Sequence, residues 1–480
     1  MIKEKKDFKV VLVDPGFGRG GFKTFGKSHW SSIIHHGLCS ISACAKKAGY
    51  PVELIDFRKL GGLDDFREEL KRRSPSLIGF TVKSCDVDVV YEAIRIVKEE
   101  NNNIIVVVGG NHPTFDPETT AQNRDIDYVL TGEAEISFIE MLEAVRNGQD
   151  FPRIIAGKHP NLDELPYDDR ELYDYKTAIN MPNYPGVFSP PMVTMIVSRG
   201  CNFQCKFCAP HASLIFGKGV RYRSVPHVIG ELKILRERYK FKSLKFYDYS
   251  FTSNPKWVDE FCEAYVREGF KAPFFCQTRA DLVCRNEELI KKLAKIGMRF
   301  LGIGFESGSQ KVLDFLNKRT TVEQNIKAAE ICRKYGVLLG VSFMFGSPGE
   351  TKEDVEATIE LARKTKPDFV SIAFYTPIPG NYLADYCKEK GLSLIDSCED
   401  YANFSPDKPK IRGIDYELLK GASDEILGLQ FNSKILGKLV RFFYVHTKKY
   451  VKLRSLMVNV YSLFIVYKKK LLSIWARIYG

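Results

Sequence analysis

The chain reads as α/β throughout its main body: a doubly wound, Rossmann-like domain, then a partial (β/α)6 barrel of the TIM type, then a helical, basic C-terminal region. Three observations predict this. Short apolar runs alternate with amphipathic stretches over residues 8–147, the same alternation returns over residues 193–380, and a proline-rich stretch separates the two.

The first set of strands is Phe8–Val13, Val52–Phe57, Leu77–Val82, Ile104–Val108 and Tyr128–Leu130, with helices such as Asp86–Glu100 and Glu135–Arg146 between them. Strands apolar on both faces and joined by helices imply a parallel sheet covered on both sides, here of five strands. Ligands of such sheets lie beyond the carboxyl ends of the strands. The domain spans residues 1–147. Residues 148–191, punctuated by Pro152, Pro160, Pro166, Pro182, Pro185, Pro190 and Pro191, read as a linker. The second set, Val193–Ser198, Ser243–Tyr249, Phe274–Thr278, Phe300–Phe305, Leu338–Phe345 and Phe369–Tyr375, predicts the barrel within residues 192–390. Asn286 is placed to cap a helix ending at Gly297, and Thr351 with Asp354 forms a capping-box pattern with Asp in place of Glu.

Hydrophobic residues make up 44% and charged residues 27%, which excludes a disordered chain or a small disulfide scaffold. Twelve cysteines in 480 residues are too dilute for a staple framework, so a reduced, cytoplasmic setting is expected. The start, Met1-Ile-Lys-Glu-Lys-Lys-Asp7, carries no signal-peptide pattern. The net charge of +12 is concentrated in residues 431–480, which hold eleven Lys and Arg and no Asp or Glu. A nearly neutral body with a basic tail is not a nucleic-acid footprint.

The strongest chemical signal is Ser198-Arg-Gly-Cys201-Asn-Phe-Gln-Cys205-Lys-Phe-Cys208, just past the first barrel strand. Three thiolates in eight residues can hold three irons of a [4Fe–4S] cube and leave the fourth iron open. The alternative is a zinc knuckle with His211 as fourth ligand.

On these residues the chain resembles the radical S-adenosylmethionine enzymes, whose pattern is a Cys-x3-Cys-x2-Cys loop with an aromatic before the last Cys, here Phe207. The resemblance extends over Phe246-Tyr-Asp248-Tyr-Ser-Phe-Thr252, Gly304-Phe-Glu306-Ser307-Gly308 and Gly340–Glu350, which includes Gly346. It implies that Cys201, Cys205 and Cys208 ligate the cluster. It implies further that Asp248 meets the methionyl amino group, Glu306 and Ser307 the ribose, and Gly346 the adenine. Tyr249 stands where the family commonly has a second carboxylate. The implied chemistry is one-electron cleavage of S-adenosylmethionine to methionine and a deoxyadenosyl radical, which needs an external low-potential electron donor.

The first domain resembles the cobalamin-binding subgroup of that superfamily through His36-Gly37-Leu38, Gly79-Phe-Thr81-Val-Lys83-Ser84, Val108-Gly109-Gly110-Asn-His112-Pro-Thr114 and Thr131-Gly132-Glu133-Ala-Glu135. Thr81, Ser84, Gly109, Gly110, Gly132 and Glu133 are the implied contacts, with glycines that let the backbone approach a flat corrin. No Asp-x-His-x-x-Gly stands in this domain. Cobalt is therefore expected to lack an imidazole from His29, His35, His36 or His112, with Val82–Cys85 facing its lower side. Cys39, Cys44 and Cys85 read as small packing residues rather than ligands of a second cluster.

Residues 391–480 read as a C-terminal helical region. In its tail Ile435, Leu439, Phe442 and Phe443, then Leu453, Leu456, Met457 and Val460, recur at helical spacing. The longest uncharged run, Ser455–Tyr467, is too short to span a bilayer, which takes about 20 residues. Peripheral contact with an anionic membrane surface is the leading reading. A helical cap on the barrel, and RNA binding, are the alternatives.

The combined reading is a cobalamin-dependent radical S-adenosylmethionine C-methyltransferase acting on an unactivated carbon of a small-molecule or lipid-like, hydrophobic substrate. The alternatives are a radical cyclase or oxidase of the anaerobic tetrapyrrole type, or a cobalamin-binding sensor with an inactive barrel.

Overall fold

A computed structural model describes residues 4–16, 20–25, 33–181, 187–208, 210–401 and 406–431. Two parallel sheets organise the chain. The first has strands β1 (Val10–Asp14), β2 (Val52–Asp56), β3 (Leu77–Thr81), β4 (Ile105–Gly109), β5 (Tyr128–Thr131) and β6 (Ile154–Ala156), in the order β2-β1-β3-β4-β5-β6. The sequence predicts five of these. The sixth pairs Val129 with Ile154 and Thr131 with Ala156, inside the proline-rich stretch. It escapes notice because three residues carry no periodicity.

Alternate residues of each strand face opposite layers. Val11, Val13, Ile78, Phe80, Val106 and Val108 pack against the helices Leu63–Arg73 and Val87–Glu100. Val10, Leu12, Leu77, Val107 and Leu130 pack against His36–Lys47 and Glu135–Arg146, in a core continuous with that of the second domain. The chain reverses its winding between β1 and β3, so the strand ends there form the crevice where such folds bind ligands.

The second sheet comprises β7 (Met192–Met195), β10 (Ser243–Phe246), β11 (Phe274–Thr278), β12 (Met298–Glu306), β13 (Leu338–Phe345) and β14 (Phe369–Phe374). These run parallel in the order β14-β13-β12-β11-β10-β7, an incomplete barrel. Phe188, Met192, Phe275, Phe300 and Phe369 form a separate apolar floor beneath it. The capping box of Thr351 and Asp354 forms on Lys352–Thr365. Asn286 precedes Glu287–Ile296 without a side-chain cap bond.

The first barrel strand departs from expectation. It ends at Met195, and the chain starts again as β8 (Ser198–Gly200), which pairs antiparallel with β9 (Val220–Tyr222). Asp248, beyond β10, causes the break by accepting bonds from Val197 N, Ser198 N and Ser198 Oγ at 3.1, 2.5 and 2.6 Å.

The described part of residues 148–191 is a packed strap. Asp169 accepts from Ser42 Oγ at 2.6 Å, Arg170 pairs with Glu231 at 2.7 Å, and Tyr173 donates to Asp14 at 2.7 Å. After the barrel, helix Tyr416–Phe431 packs against Lys352–Thr365, with Tyr416, Leu419, Ala422 and Ile426 in the core. No helix among the described residues is long and apolar enough to cross a membrane. The basic tail beyond residue 431 lies outside the described residues, and His29 does also.

Candidate functional site

The β8–β9 hairpin carries the cysteine loop. Gly200, immediately before Cys201, has φ +98°, and a Cβ there would collide with Gly219 O, so only glycine closes the hairpin. Cys205 is buried, while Cys201 and Cys208 are partly exposed. Cys208 N donates to Cys205 O at 2.9 Å, curling the loop. Lys206 ties it to the barrel, donating to Leu316 O at 2.9 Å and accepting from Leu383 N at 3.0 Å. Burial pushes the Cys201 thiol up and that of Cys208 to about 11, and the neighbouring cysteine charges add to both.

Two buried cations stand over this loop. Arg279, just past β11, lies 3.5 Å from Cys205 Sγ, 3.7 Å above the Phe203 ring, and pairs with Asp281 at 2.9 Å. Lys318 pairs with Glu306 at 2.7 Å and lies 5.7 Å from the Phe207 ring centre. Among the described residues no three His, Cys, Asp or Glu side chains surround a single ion. A cube does not need that, because each thiolate ligates a different iron. His211, the fourth ligand of the zinc alternative, is turned away: Nε2 meets Pro379 O at 3.1 Å and the ring stacks on Phe115 at 3.9 Å. Three thiols at a barrel mouth, with cations to offset the negative charge of a thiolate-bound cube, fit the cluster.

The other barrel residues singled out by resemblance divide into two groups. Phe207 and Glu306 gather with Lys318 beside the cysteines. Glu306 holds φ +62° at a bulge in β12, and Gly304 leaves room for its carboxylate. Gly346, with φ +83°, turns the chain after β13 and donates its N–H to Glu350 at 2.5 Å. Two others are held by the protein itself. Ser307 is fully buried, bonding Thr358 Oγ1 at 3.1 Å and accepting from Ser309 N at 3.1 Å, so its hydroxyl anchors the turn. Asp248 accepts from Val197 and Ser198, and so positions the approach to the cluster loop.

Burial raises the Asp248 carboxyl from 3.8 to about 6, outweighing its hydrogen bonds. The folded chain therefore holds a proton there that the unfolded chain has released, and Asp248's contribution to stability declines as pH rises through that window, then levels off. The difference in unfolding free energy between the native protein and Asp248→Asn, from urea titrations at pH 4 and pH 7, is expected to be larger at pH 4. An equal or smaller difference there contradicts the assignment.

Between the domains lies a cavity of about 410 Å³. Its first wall is the strand ends of the first sheet, with Thr81, Gly109, Gly110, Gly132 and Glu133. Leu12, Leu38, Ile41, Gly79, Val107, Leu130 and Phe138 continue it as an apolar slot beneath. The facing wall is the barrel mouth, with Val197, Ser198, Arg199, Ile215, Phe216, Tyr247 and Tyr249, and the strap closes a side with Leu162, Leu165 and Tyr167. A glycine-lined ledge over an apolar slot fits a flat macrocycle with a pendant tail. Ser84 is not brought there: it is buried, and its hydroxyl meets His112 Nδ1 at 3.3 Å. The short turn Ser84–Asp86 carries it away, and Val82–Cys85 does not line the cavity. His36 bonds Asp168 at 2.6 Å and Thr194 at 2.9 Å, while His35 accepts from Leu38 N at 3.2 Å and meets Thr81 Oγ1 at 3.3 Å.

Sequence reasoning missed Arg199, Arg279 and Lys318. Each is a cation just past an apolar run, a signal shared with many solvated residues. Only burial distinguishes them.

Residues 31–142 match the B12 binding domain and residues 195–362 the radical SAM superfamily. An uncharacterised methyltransferase of Pyrococcus horikoshii is 31% identical over 407 residues, 81% of this chain and 83% of that protein. The anaerobic magnesium-protoporphyrin IX monomethyl ester cyclase of Rubrivivax gelatinosus is 26% identical, over 77% and 68%. The hopanoid C-3 methylase of Methylococcus capsulatus is 26% identical, over 72% and 67%. Among solved structures, the radical S-adenosylmethionine methyltransferase TsrM of Kitasatospora setae, with cobalamin and a [4Fe–4S] cluster bound, has TM-score 0.65 at 17% identity, over 88% and 89%. The cobalamin-dependent S-adenosylmethionine radical enzyme OxsB, with aqua-cobalamin bound, has TM-score 0.66 at 16% identity, over 98% and 80%.

Proposed function

Because this chain belongs to the cobalamin-dependent radical S-adenosylmethionine enzymes, with a [4Fe–4S] cluster, S-adenosylmethionine and cobalamin as its cofactors, we propose that it methylates an unactivated carbon of a hydrophobic, ring-containing substrate. The observation that carries this reading is the shared cavity, where the cobalamin-binding strand ends face the barrel mouth directly. When bound, the cluster with S-adenosylmethionine supplies a hydrogen-abstracting radical and the cobalamin supplies a methyl group.

The protein's part is to hold the groups in line and exclude water. Cys201, Cys205 and Cys208 ligate the cluster. Phe207, Glu306 and Gly346 frame S-adenosylmethionine, with Arg279 and Lys318 as cations for its carboxylate. Thr81, Gly109, Gly110 and Gly132 carry the corrin. Phe216 and Tyr249, whose rings meet edge to face at 6.3 Å, offer an aromatic shelf on the barrel side of the cavity.

A polycyclic substrate is supported by the relatives named for hopanoid and protoporphyrin ester chemistry. The basic, apolar tail also supports it, since each Lys or Arg near an anionic surface contributes about 1 kcal/mol. The cyclase relative supports a second reading, oxidation or ring closure without methyl transfer.

One assay separates these readings. Reconstituted protein is incubated anaerobically with deuteromethyl S-adenosylmethionine, a low-potential reductant and anionic vesicles carrying an isoprenoid and porphyrin-ester extract, then products are weighed by mass spectrometry. A product heavier by one labelled methyl group is expected, with loss of vesicle binding and of product when the chain is cut after Gln430. Unlabelled product that has lost hydrogen favours cyclisation. Full turnover by the shortened chain overturns the membrane reading.

A further inference from the structure

The hairpin ahead of the cluster loop is gripped by the cobalamin-binding domain. Arg199 and Arg221 stand directly opposite each other on β8 and β9. Two cations at paired positions on one face repel, so their placement requires compensation. It comes from the segment after β5. Glu133 accepts from Arg199 Nη1 at 2.6 Å and also pairs with Arg221, while Glu135 accepts from Arg199 Nη2 at 2.7 Å. Ser40 Oγ donates to Glu135 at 2.8 Å, and His159 Nδ1 meets Glu133 at 2.7 Å.

Both carboxylates are almost wholly buried, with side-chain exposures of 1% and 5%. Buried pairs of this kind contribute little net stability, because desolvation offsets their attraction, but a guanidinium bridging two carboxylates has few alternative geometries. Gly132, with φ +67°, brings the same segment against the helix that follows the cysteines, where a Cβ would lie 3.3 Å from Ile215 O. Gly132, Glu133, Glu135 and Arg199 all line the interdomain cavity.

From this geometry we infer that Glu133, Glu135 and Arg199 form a positioning clamp, through which occupancy of the cavity by cobalamin sets the placement of Cys201, two residues beyond Arg199. The clamp gives Glu133 a role beside the corrin contact that the resemblance implies: both of its oxygens are held by protein cations, so it registers the domains. The inference rests on the cluster and cobalamin both binding, and it is independent of whether the product is methylated.

The test uses the full chain with its cluster reconstituted and reduced, with or without hydroxocobalamin. In the native protein, adding hydroxocobalamin shifts the electron paramagnetic resonance signal of the reduced cluster and its midpoint potential. In Arg199→Ala that response is lost, although the visible spectrum of bound cobalamin persists. Arg199→Lys loses it as well, because an ammonium cannot bridge both carboxylates. If Arg199→Ala does not fold, the near-isosteric pair Glu133→Gln with Glu135→Gln decides the matter on the same readout. A native cluster signal indifferent to hydroxocobalamin, or a response retained in the folded variants, overturns the clamp.

Discussion

Replacing Cys201, Cys205 and Cys208 together with alanine leaves a folded protein with no cluster, and cleavage of S-adenosylmethionine falls to background. The reason is geometric as much as chemical. The three thiols sit on one loop held by Lys206 to Leu316 and Leu383. Cys39, Cys262, Cys276, Cys332 and Cys387 are buried in apolar cores. Iron analysis after anaerobic reconstitution checks the result: about four irons per native chain, as one cube requires, and none in the variant. Iron retained at the native level places the cluster elsewhere.

Gly109→Leu is expected to separate the two cofactors. Gly109 ends β4 on the cavity wall, outside the left-handed backbone region, and a Cβ there meets only Leu130 at 3.6 Å. The domain therefore accepts the side chain, whose remaining carbons occupy the ledge where a corrin lies. Overpacking of about 1–3 kcal/mol corresponds to a loss of cobalamin affinity of roughly fivefold to 150-fold. Iron content is expected to persist, because the cysteine loop is untouched, and reductive cleavage of S-adenosylmethionine is expected to continue at the rate of the native protein without cobalamin. Equilibrium titration with hydroxocobalamin, alongside deoxyadenosine assays, reads both effects. Undiminished cobalamin affinity shows that the ledge is not the binding surface.

Much of this arrangement was legible in the sequence, for identifiable reasons. Strands buried on both faces appear as unbroken apolar runs, so Val10–Asp14 and Leu338–Phe345 announce themselves. The cysteine spacing is legible because three thiols so close together have few structural explanations. The hairpin of Ser198–Gly200 with Val220–Tyr222 was not, since each arm is three residues long and its cause is a carboxylate fifty residues away. Asp248 and Ser307 stand at the strand ends where the sequence places them, but their protein partners, Val197 and Ser198 for one and Thr358 for the other, are not legible there. Spacing places a residue at an end but does not say which way its side chain turns. Ser84 turns from the cavity wall in the same illegible way, through a single turn of 3-10 helix. The strap was read as a connector because prolines mark irregular backbone, and irregular backbone can still pack.

The apolar floor of the barrel has a consequence for traffic. Phe275, Phe300 and Phe369 interlock there, with Phe275 and Phe300 edge to face at 4.7 Å and Phe300 tilted on Phe369 at 5.1 Å, sealed from below by Phe188 and Met192. Bulk solvent has no route upward through packed rings, so a short-lived carbon radical held above them is sheltered from quenching on that side. The same seal closes the lumen at that end. A molecule that enters by the mouth therefore finds no exit through the floor.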